Sequence, residues 1–258
     1  MIFFENKNYK IYNADVLNKN LFKKESFDLI ITSPPYNVGI EYDSHQDNMS
    51  YEDYLNFSFK WLSNCYYWSK TSTRLCLNVP LDKNKGGYHP VAADITKIAQ
   101  KAGWRYKNTI IWAENNISRR TAWGSWMSAS SPNIIAPVEV IILMYKEQWK
   151  KTYKGISDIS RDEFISWTNG LWYFNGESKK RIGHPAPFPR ELPKRCIKLF
   201  SYVGDTIFDP FMGSGTTLIE SILNNRKAIG VDISKEYCEL AKNRIEKEIG
   251  LFSNTNFK

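Results

Sequence analysis

The chain has 258 residues, of which 42% are hydrophobic and 15% aromatic, so it can bury a full core and is neither disordered nor collagen-like. Thirty-five Lys and Arg against 27 Asp and Glu leave a formal charge of +8, an excess that attracts polyanions by releasing their counterions without naming any one of them. No stretch approaches the ~20 uninterrupted apolar residues of a membrane span, and the opening MIFFENKNYKIYNAD lacks the basic start and small-residue cleavage site of a signal peptide, so a cytoplasmic protein without a membrane partner is expected.

In chain order, apolar runs at 9–12, 29–32, 75–79, 106–112, 138–144, 206–208 and 228–231 read as buried strands. Between them, 51–69, 90–102, 193–202, 216–224 and 235–249 carry helical spacing. The alternation predicts an α/β fold with a doubly wound, mostly parallel sheet, whose ligands sit outside the carboxyl ends of the strands. Two stretches break the rhythm. The first, 115–137, is rich in turn formers yet holds Arg119, Arg120, Trp123 and Trp126, and a long loop of this kind is usually functional. The second, 146–181, mixes cations such as Lys150, Lys151 and Lys154 with tryptophan and tyrosine. Such interleaving suits phosphate tracking and base stacking; a small lobe with its own aromatic core and a solvated basic rim fits the composition as well.

Near the C-terminus, Thr206-Ile-Phe-Asp-Pro-Phe-Met-Gly-Ser-Gly-Thr-Thr217 runs from an apolar strand through Asp209 into a Gly213-Ser-Gly215 turn that opens a helix. Glycine there allows a tight turn and close approach of a ligand to the backbone, and the helix start offers unpaired N–H groups. Leu218 stands where a dinucleotide fingerprint needs its third glycine, and no Gly-Lys-Ser/Thr follows, so neither an NAD site nor a P-loop is implied. Asp232 closes the next strand roughly 20 residues beyond Asp209, the spacing at which such folds place a carboxylate on ribose hydroxyls. Early in the chain, the strand at 27–32 empties into Ser33-Pro34-Pro35-Tyr36-Asn37. Two prolines fix the backbone and remove donors, leaving carbonyls free to accept from an exocyclic amino group while Tyr36 stacks on its ring. Alone, the same pentapeptide is also a stiff turn with an aromatic anchor.

Together, TSPPYN after one strand and FDPFMGSGTT after another resemble the S-adenosylmethionine-dependent amino-methyltransferases of DNA, and the likeness extends through YNAD, RTAWGSWMSASSPNI, EVIILMYK, HPAPFPRELPKRCIKLFS and GVDIS. The catalytic tetrapeptide precedes the cofactor turn, an order similar to that of the circularly permuted beta class. The resemblance implies a Rossmann-like fold divided into a catalytic part at 1–145, a target-recognition insertion at 146–181 and a cofactor-binding part at 182–258. It implies Ser33, Pro34, Pro35 and Tyr36 as the catalytic set. For S-adenosylmethionine it implies Asp15 on the adenine, Asp232 on the ribose, His184 and Phe188 in a segment closing over the methionine moiety, and Asp209, Phe211, Gly213, Gly215 and Thr216 around the turn. Arg119, Arg120, Lys150, Lys151 and Lys154 are the expected DNA contacts. The partner is double-stranded DNA; beta-class relatives are often homodimers, and a restriction-modification system would add a cognate restriction endonuclease acting on the same site.

Amino methylation requires no covalent enzyme intermediate, and no metal is expected. The target amino group cannot reach Ser33 from inside a duplex, so base flipping is required, at a few kcal/mol. Carbon-5 methylation of cytosine needs a thiolate, and none of Cys65, Cys76, Cys196 and Cys238 follows a proline or forms a CxxC pair; buried thiols are the expectation. Ser33, where adenine-N6 enzymes usually carry aspartate, and the TAWGSW stretch favour N4-methylcytosine as product, with N6-methyladenine the alternative. A fold retained only for binding nucleic acid is disfavoured by the intact Asp209, Gly213, Gly215 and Asp232.

Overall fold

The computed structural model describes residues 1–36, 41–42, 45–46, 49–82, 88–113, 124–134, 138–176 and 189–255. In chain order the strands are β1 (Ile2–Glu5), β2 (Tyr9–Asn13), β3 (Phe27–Thr32), β4 (Glu41–Tyr42), β5 (His45–Gln46), β6 (Ser69–Pro80), β7 (Arg105–Ala113), β8 (Val138–Tyr145), β9 (Leu171–Tyr173), β10 (Thr206–Asp209) and β11 (Lys227–Asp232). The helices are α1 (Tyr51–Trp68), α2 (Val91–Lys101), α3 (Arg161–Trp167), α4 (Glu191–Phe200), α5 (Thr216–Leu223) and α6 (Lys235–Thr255).

Nine of these strands form one sheet in the order β1-β2-β11-β10-β3-β6-β8-β7-β9, and β4 pairs with β5 separately. From β2 to β6 every neighbour is parallel, whereas β8 runs antiparallel to both β6 and β7. β3 is enclosed along its whole length, as a central parallel strand with helices on both faces must be. On one face α1 and α2 bury Trp61, Leu62, Trp68 and Ile95 against Phe27, Ile30, Leu75 and Ile142. On the other, α4 sets Leu192, Cys196 and Ile197 against Leu29, Ile31, Ile141 and Ile207, and α5 with α6 covers Tyr9, Ile11 and Ala228. Each such apolar side chain contributes about 1.5–3 kcal/mol when removed from water.

The permuted chain order is visible in the sheet. β2 and β3, from the N-terminal part, flank β10 and β11, from the C-terminal part, so the two halves interleave in one core. The chain leaves β3 toward β6 and leaves β10 toward β11, on opposite sides. That divergence opens a crevice at the carboxyl ends of β3 and β10, where open α/β sheets bind ligands.

The stretch 146–176 is not a lobe with its own aromatic core. Trp172 on β9 is 1% exposed and joins the cluster around Cys196 and Leu192, with Trp149 and Phe174 packed on the same cluster, because β9 adds to the main sheet beside β7. Helix α3 starts at a capping box in which Ser160 and Glu163 satisfy each other's backbone N–H groups. Among the described residues no helix is long and apolar enough to cross a membrane.

Candidate active site

The tetrapeptide and the glycine turn meet at one buried carboxylate. Asp209, at the end of β10, accepts from Thr32 Oγ1 at 2.8 Å, from the Phe211 N–H at 3.1 Å and from Thr217 Oγ1 at 2.7 Å. Thr32 immediately precedes Ser33, so one side chain fixes the exits of both β3 and β10. Asp209 is fully enclosed, and burial raises its pKa to about 6 against the pull of these donors. The motif alone places this carboxylate in the wall of the cofactor pocket; with no exposed surface, it acts by holding the turn instead.

The turn is built around left-handed backbone at Gly213 (φ 47°) and Gly215 (φ 79°). A Cβ on Gly215 would lie 3.0 Å from the Ala241 Cβ on α6, so the glycine makes room for a helix, not, as the motif alone suggests, for a ligand. Thr216 opens α5 as a residue only 3% exposed, with its Oγ1 at 3.4 Å from Arg244 Nη1. The ring of Phe211 lies edge-on to Trp61, centroids 5.2 Å apart.

At the end of β11, Asp232 accepts from Gly213 N–H at 3.0 Å and Ser234 N–H at 2.9 Å, and burial raises its pKa to about 6. A carboxylate has about four acceptor positions, so a vicinal diol can still be held there. Asp15 stands beside it, because Ala14 N–H donates to the Asp232 carbonyl at 3.0 Å; its exposed carboxylate accepts from Leu17 N–H at 2.8 Å. Next to Leu17, a cavity of about 380 Å³ is walled by Met49, Asp53, Phe57 and Lys60 of α1 and its approach. Asp15, Asp232 and the glycine turn follow one another along one edge, and a group carrying an aromatic base and a ribose suits that order of walls.

The tetrapeptide lies across the crevice. Pro34 is buried, and Ser33, Pro35 and Tyr36 are half-buried. The Tyr36 hydroxyl is 2.6 Å from Ser33 Oγ, donates to Glu139 Oε2 at 2.9 Å and accepts from Asn78 Nδ2 at 2.8 Å. Burial, reinforced by the Glu139 charge, raises the tyrosine well above its ordinary pKa. Glu139, at the start of β8 and the first residue of the EVIILMYK stretch, and Asn78, near the end of β6, lie outside both the tetrapeptide and the glycine-turn motif. Only the β6–β8 register, which sets Pro80 opposite Glu139, brings them to the tetrapeptide.

The expected lysine contacts fall elsewhere. Lys151 has a side chain only 5% exposed, and its ammonium contacts Asp205 Oδ2 at 3.2 Å, the Asp28 carbonyl at 3.2 Å and Tyr153 Oη at 3.3 Å. That cation is consumed inside the fold and is withdrawn from the DNA-contact set. Lys150 and Lys154 are exposed, but their segment runs along the amino ends of the strands, where Lys146 N–H pairs with the Thr73 carbonyl and Val203 N–H with the Ile156 carbonyl. Asp28 and Ser33 lie toward opposite ends of β3, five residue steps and roughly 17 Å apart at ~3.3 Å per residue. His184, Phe188, Arg119 and Arg120 lie outside the described residues. Residues 124–134, within the connection from β7 to β8, expose Trp126 (68%), Met127 (90%) and Ile134 (92%).

Comparison with known proteins fits this geometry. The DNA methylase family model matches residues 27–243. The chain belongs to that family. Its relatives include the type II methyltransferase M.MjaVI of Methanocaldococcus jannaschii, 60% identical over 172 residues that cover 67% of this chain and 88% of that protein. M.HpaI of Haemophilus parainfluenzae is 31% identical over 254 residues, covering 94% and 75%. Among solved structures, TTHA0409 of Thermus thermophilus, described as a DNA modification methylase, superposes with a TM-score of 0.75 at 28% identity over 92% of this chain and 94% of that one; a second structure of it holds S-adenosyl-L-methionine. The cytosine-N4-specific PvuII DNA methyltransferase shares the fold, with a TM-score of 0.70 at 18% identity over 93% and 86%. The protein is therefore a DNA methyltransferase of the N4/N6 amino class with a methyltransferase-type α/β fold.

Proposed function

We propose that this DNA methyltransferase transfers a methyl group from S-adenosylmethionine to the N4 amino group of a flipped cytosine in duplex DNA, as the modification half of a type II restriction-modification system. The observation that carries the reading is the Asp209 junction, where Thr32, the residue before Ser33, and the cofactor-type turn share one carboxylate. Such a junction holds donor and acceptor sites at fixed separation, and orientation supplies much of the rate of a direct transfer.

In this reading Asp232 and Asp15 hold the ribose and adenine ends, and the turn at 211–215 holds the remainder. The bound cofactor supplies an electrophilic sulfonium methyl. Ser33 Oγ and the Pro34 carbonyl accept the two amino hydrogens, which draws the nitrogen lone pair out of conjugation with the ring and toward the methyl. Tyr36 presents its ring to the base, with the ring's tilt set by its hydroxyl partners. The nitrogen sheds its proton to water once methylated, when it has become strongly acidic. DNA approaches the carboxyl edge of the sheet, where the connection from β7 to β8 carries the exposed Trp126 and Met127.

Serine at position 33 and the TAWGSW stretch support cytosine over adenine. The deciding experiment incubates purified protein with duplex DNA and S-adenosylmethionine, digests the product to nucleosides and separates them by mass spectrometry. N4-methylcytosine is expected. N6-methyladenine alone would overturn the base assignment and leave the amino-methylation chemistry standing.

A further inference from the structure

Glu139 is 103 residues from Tyr36 in sequence, yet it determines which way the hydroxyls of the tetrapeptide point. Its Oε2 accepts from Tyr36 Oη at 2.9 Å and from Asn78 Nδ2 at 2.5 Å, and the same Nδ2 reaches Tyr36 Oη at 2.8 Å. The 2.6 Å contact between Ser33 Oγ and Tyr36 Oη has no direction of its own, since either hydroxyl can donate. The surrounding groups supply one. Tyr36 donates its single hydrogen to Glu139 Oε2. Asn78 must turn its amino end to this corner, because its carbonyl oxygen at 2.5 Å from a carboxylate oxygen would be repelled. Its Oδ1 is accordingly the atom left without a partner, in a residue 1% exposed. Tyr36 Oη can therefore only accept from Ser33, which turns the serine hydrogen away from the crevice and leaves the Oγ lone pairs to receive a donor.

We propose that Glu139 is a positioning residue that, through Tyr36, fixes Ser33 as a hydrogen-bond acceptor toward the amino group of the target base. This rests on the reading that Ser33 and the Pro34 carbonyl hold that amino group. An aspartate at the head of the tetrapeptide would be an acceptor without assistance, whereas a serine is ambivalent. As a donor it would oppose the amino hydrogens and lose the interaction that draws out the lone pair. Glu139 supplies the missing acceptor character from two hydrogen bonds away, and its negative charge also favours the cationic character that develops on the attacking nitrogen. Asn78 reinforces the arrangement by donating to both members of the Tyr36–Glu139 pair.

The test is single-turnover methyl transfer to duplex DNA, with S-adenosylmethionine affinity measured in parallel by calorimetry. Glu139→Gln can offer an N–H to Tyr36 and so release the tyrosine hydrogen toward Ser33. It should slow transfer on the order of 100-fold while cofactor affinity stays within about twofold, a retained affinity that also verifies folding. Tyr36→Phe, which removes the link, should show the same split. Adding Ser33→Asp to Glu139→Gln should recover at least about tenfold of the lost rate, because aspartate accepts regardless of its neighbours. Wild-type transfer by Glu139→Gln, or a slow variant that Ser33→Asp fails to improve, would overturn the proposal. Full activity of Ser33→Ala would instead overturn the tetrapeptide reading beneath it.

Discussion

The two edges of the sheet are both dense in charge and serve opposite ends. At the amino edge Lys70 grips both oxygens of Asp28 at 2.8 and 2.9 Å, and Tyr153 bridges Asp28 and Asp205. Lys151 reaches the Asp205 carboxylate and the Asp28 backbone carbonyl, and Arg74 ties the Trp149 and Phe200 carbonyls together. These groups face one another and fasten the 146–156 segment to the bottom of β3, β6 and β10. At the carboxyl edge the carboxylates of Asp209, Asp232 and Glu139 hold backbone turns and hydroxyls in place. One cation of the sequence cluster, Lys151, thus belongs to a closed structural network, while the carboxyl edge is built around carboxylates.

The comparison is broken most forcefully at Lys151. Lys151→Ala should leave the buried Asp205 carboxylate without its cation and destabilise the protein by roughly 3–5 kcal/mol, read as a lowered midpoint in urea denaturation. A fully stable variant would mean that the network is not a fastening. The opposite edge responds in ligand affinity instead. Asp232→Ala should weaken S-adenosylmethionine by about 1.5–3 kcal/mol in calorimetry, through loss of a charge-assisted hydrogen bond. Unchanged affinity would remove Asp232 from the site.

Acidification sharpens the same point. Asp232 titrates near 6 in the free protein, and ribose hydroxyls bind its ionised form better, so bound cofactor lowers that pKa. Affinity should therefore be fullest above pH 7 and fall as pH drops through about 6, and Asp232→Asn should flatten that limb. An unaltered limb in the asparagine variant would assign it to another group. The smallest effect belongs to Lys150 and Lys154. Their joint replacement by alanine should leave the salt dependence of DNA binding unchanged, because they project from the edge remote from the tetrapeptide. A slope flattened by about one to two units would restore them to the DNA interface.

Much of the scaffold was legible because apolar runs do report buried strands: β3, β8, β10 and β11 extend the expected segments by only a residue or two at their ends. β6 runs much further than the expected 75–79, since Ser69 and Thr73 enter the interior by bonding the Cys65 and Phe27 carbonyls at 2.7 and 2.6 Å, and polar residues satisfied in this way leave no hydrophobic signal. β9, with three residues, is too short for periodicity. Helix α3 is also too short for a clear apolar stripe, and the Ser160–Glu163 capping spacing is the signal that could have found it. In the site, Ser33–Tyr36, the glycine turn and Asp232 are contiguous motifs with a chemical meaning of their own. Glu139 opens the EVIILMYK stretch that shares in the resemblance without a role of its own there, and Asn78 reads as a polar residue near a strand end, since their contacts arise from register. Lys151 misleads for the same reason, because its partners Asp28 and Asp205 are distant in the chain.

The central claim is that chemistry occurs at the carboxyl edge between β3 and β10, with Ser33 in contact with the reacting amino group. Single-turnover transfer of isotopically labelled methyl from S-adenosylmethionine to duplex DNA by Ser33→Ala tests it most directly. A rate constant lower by at least about 100-fold, with cofactor affinity within about twofold of wild type, is the predicted result. Transfer at the wild-type rate would contradict the claim.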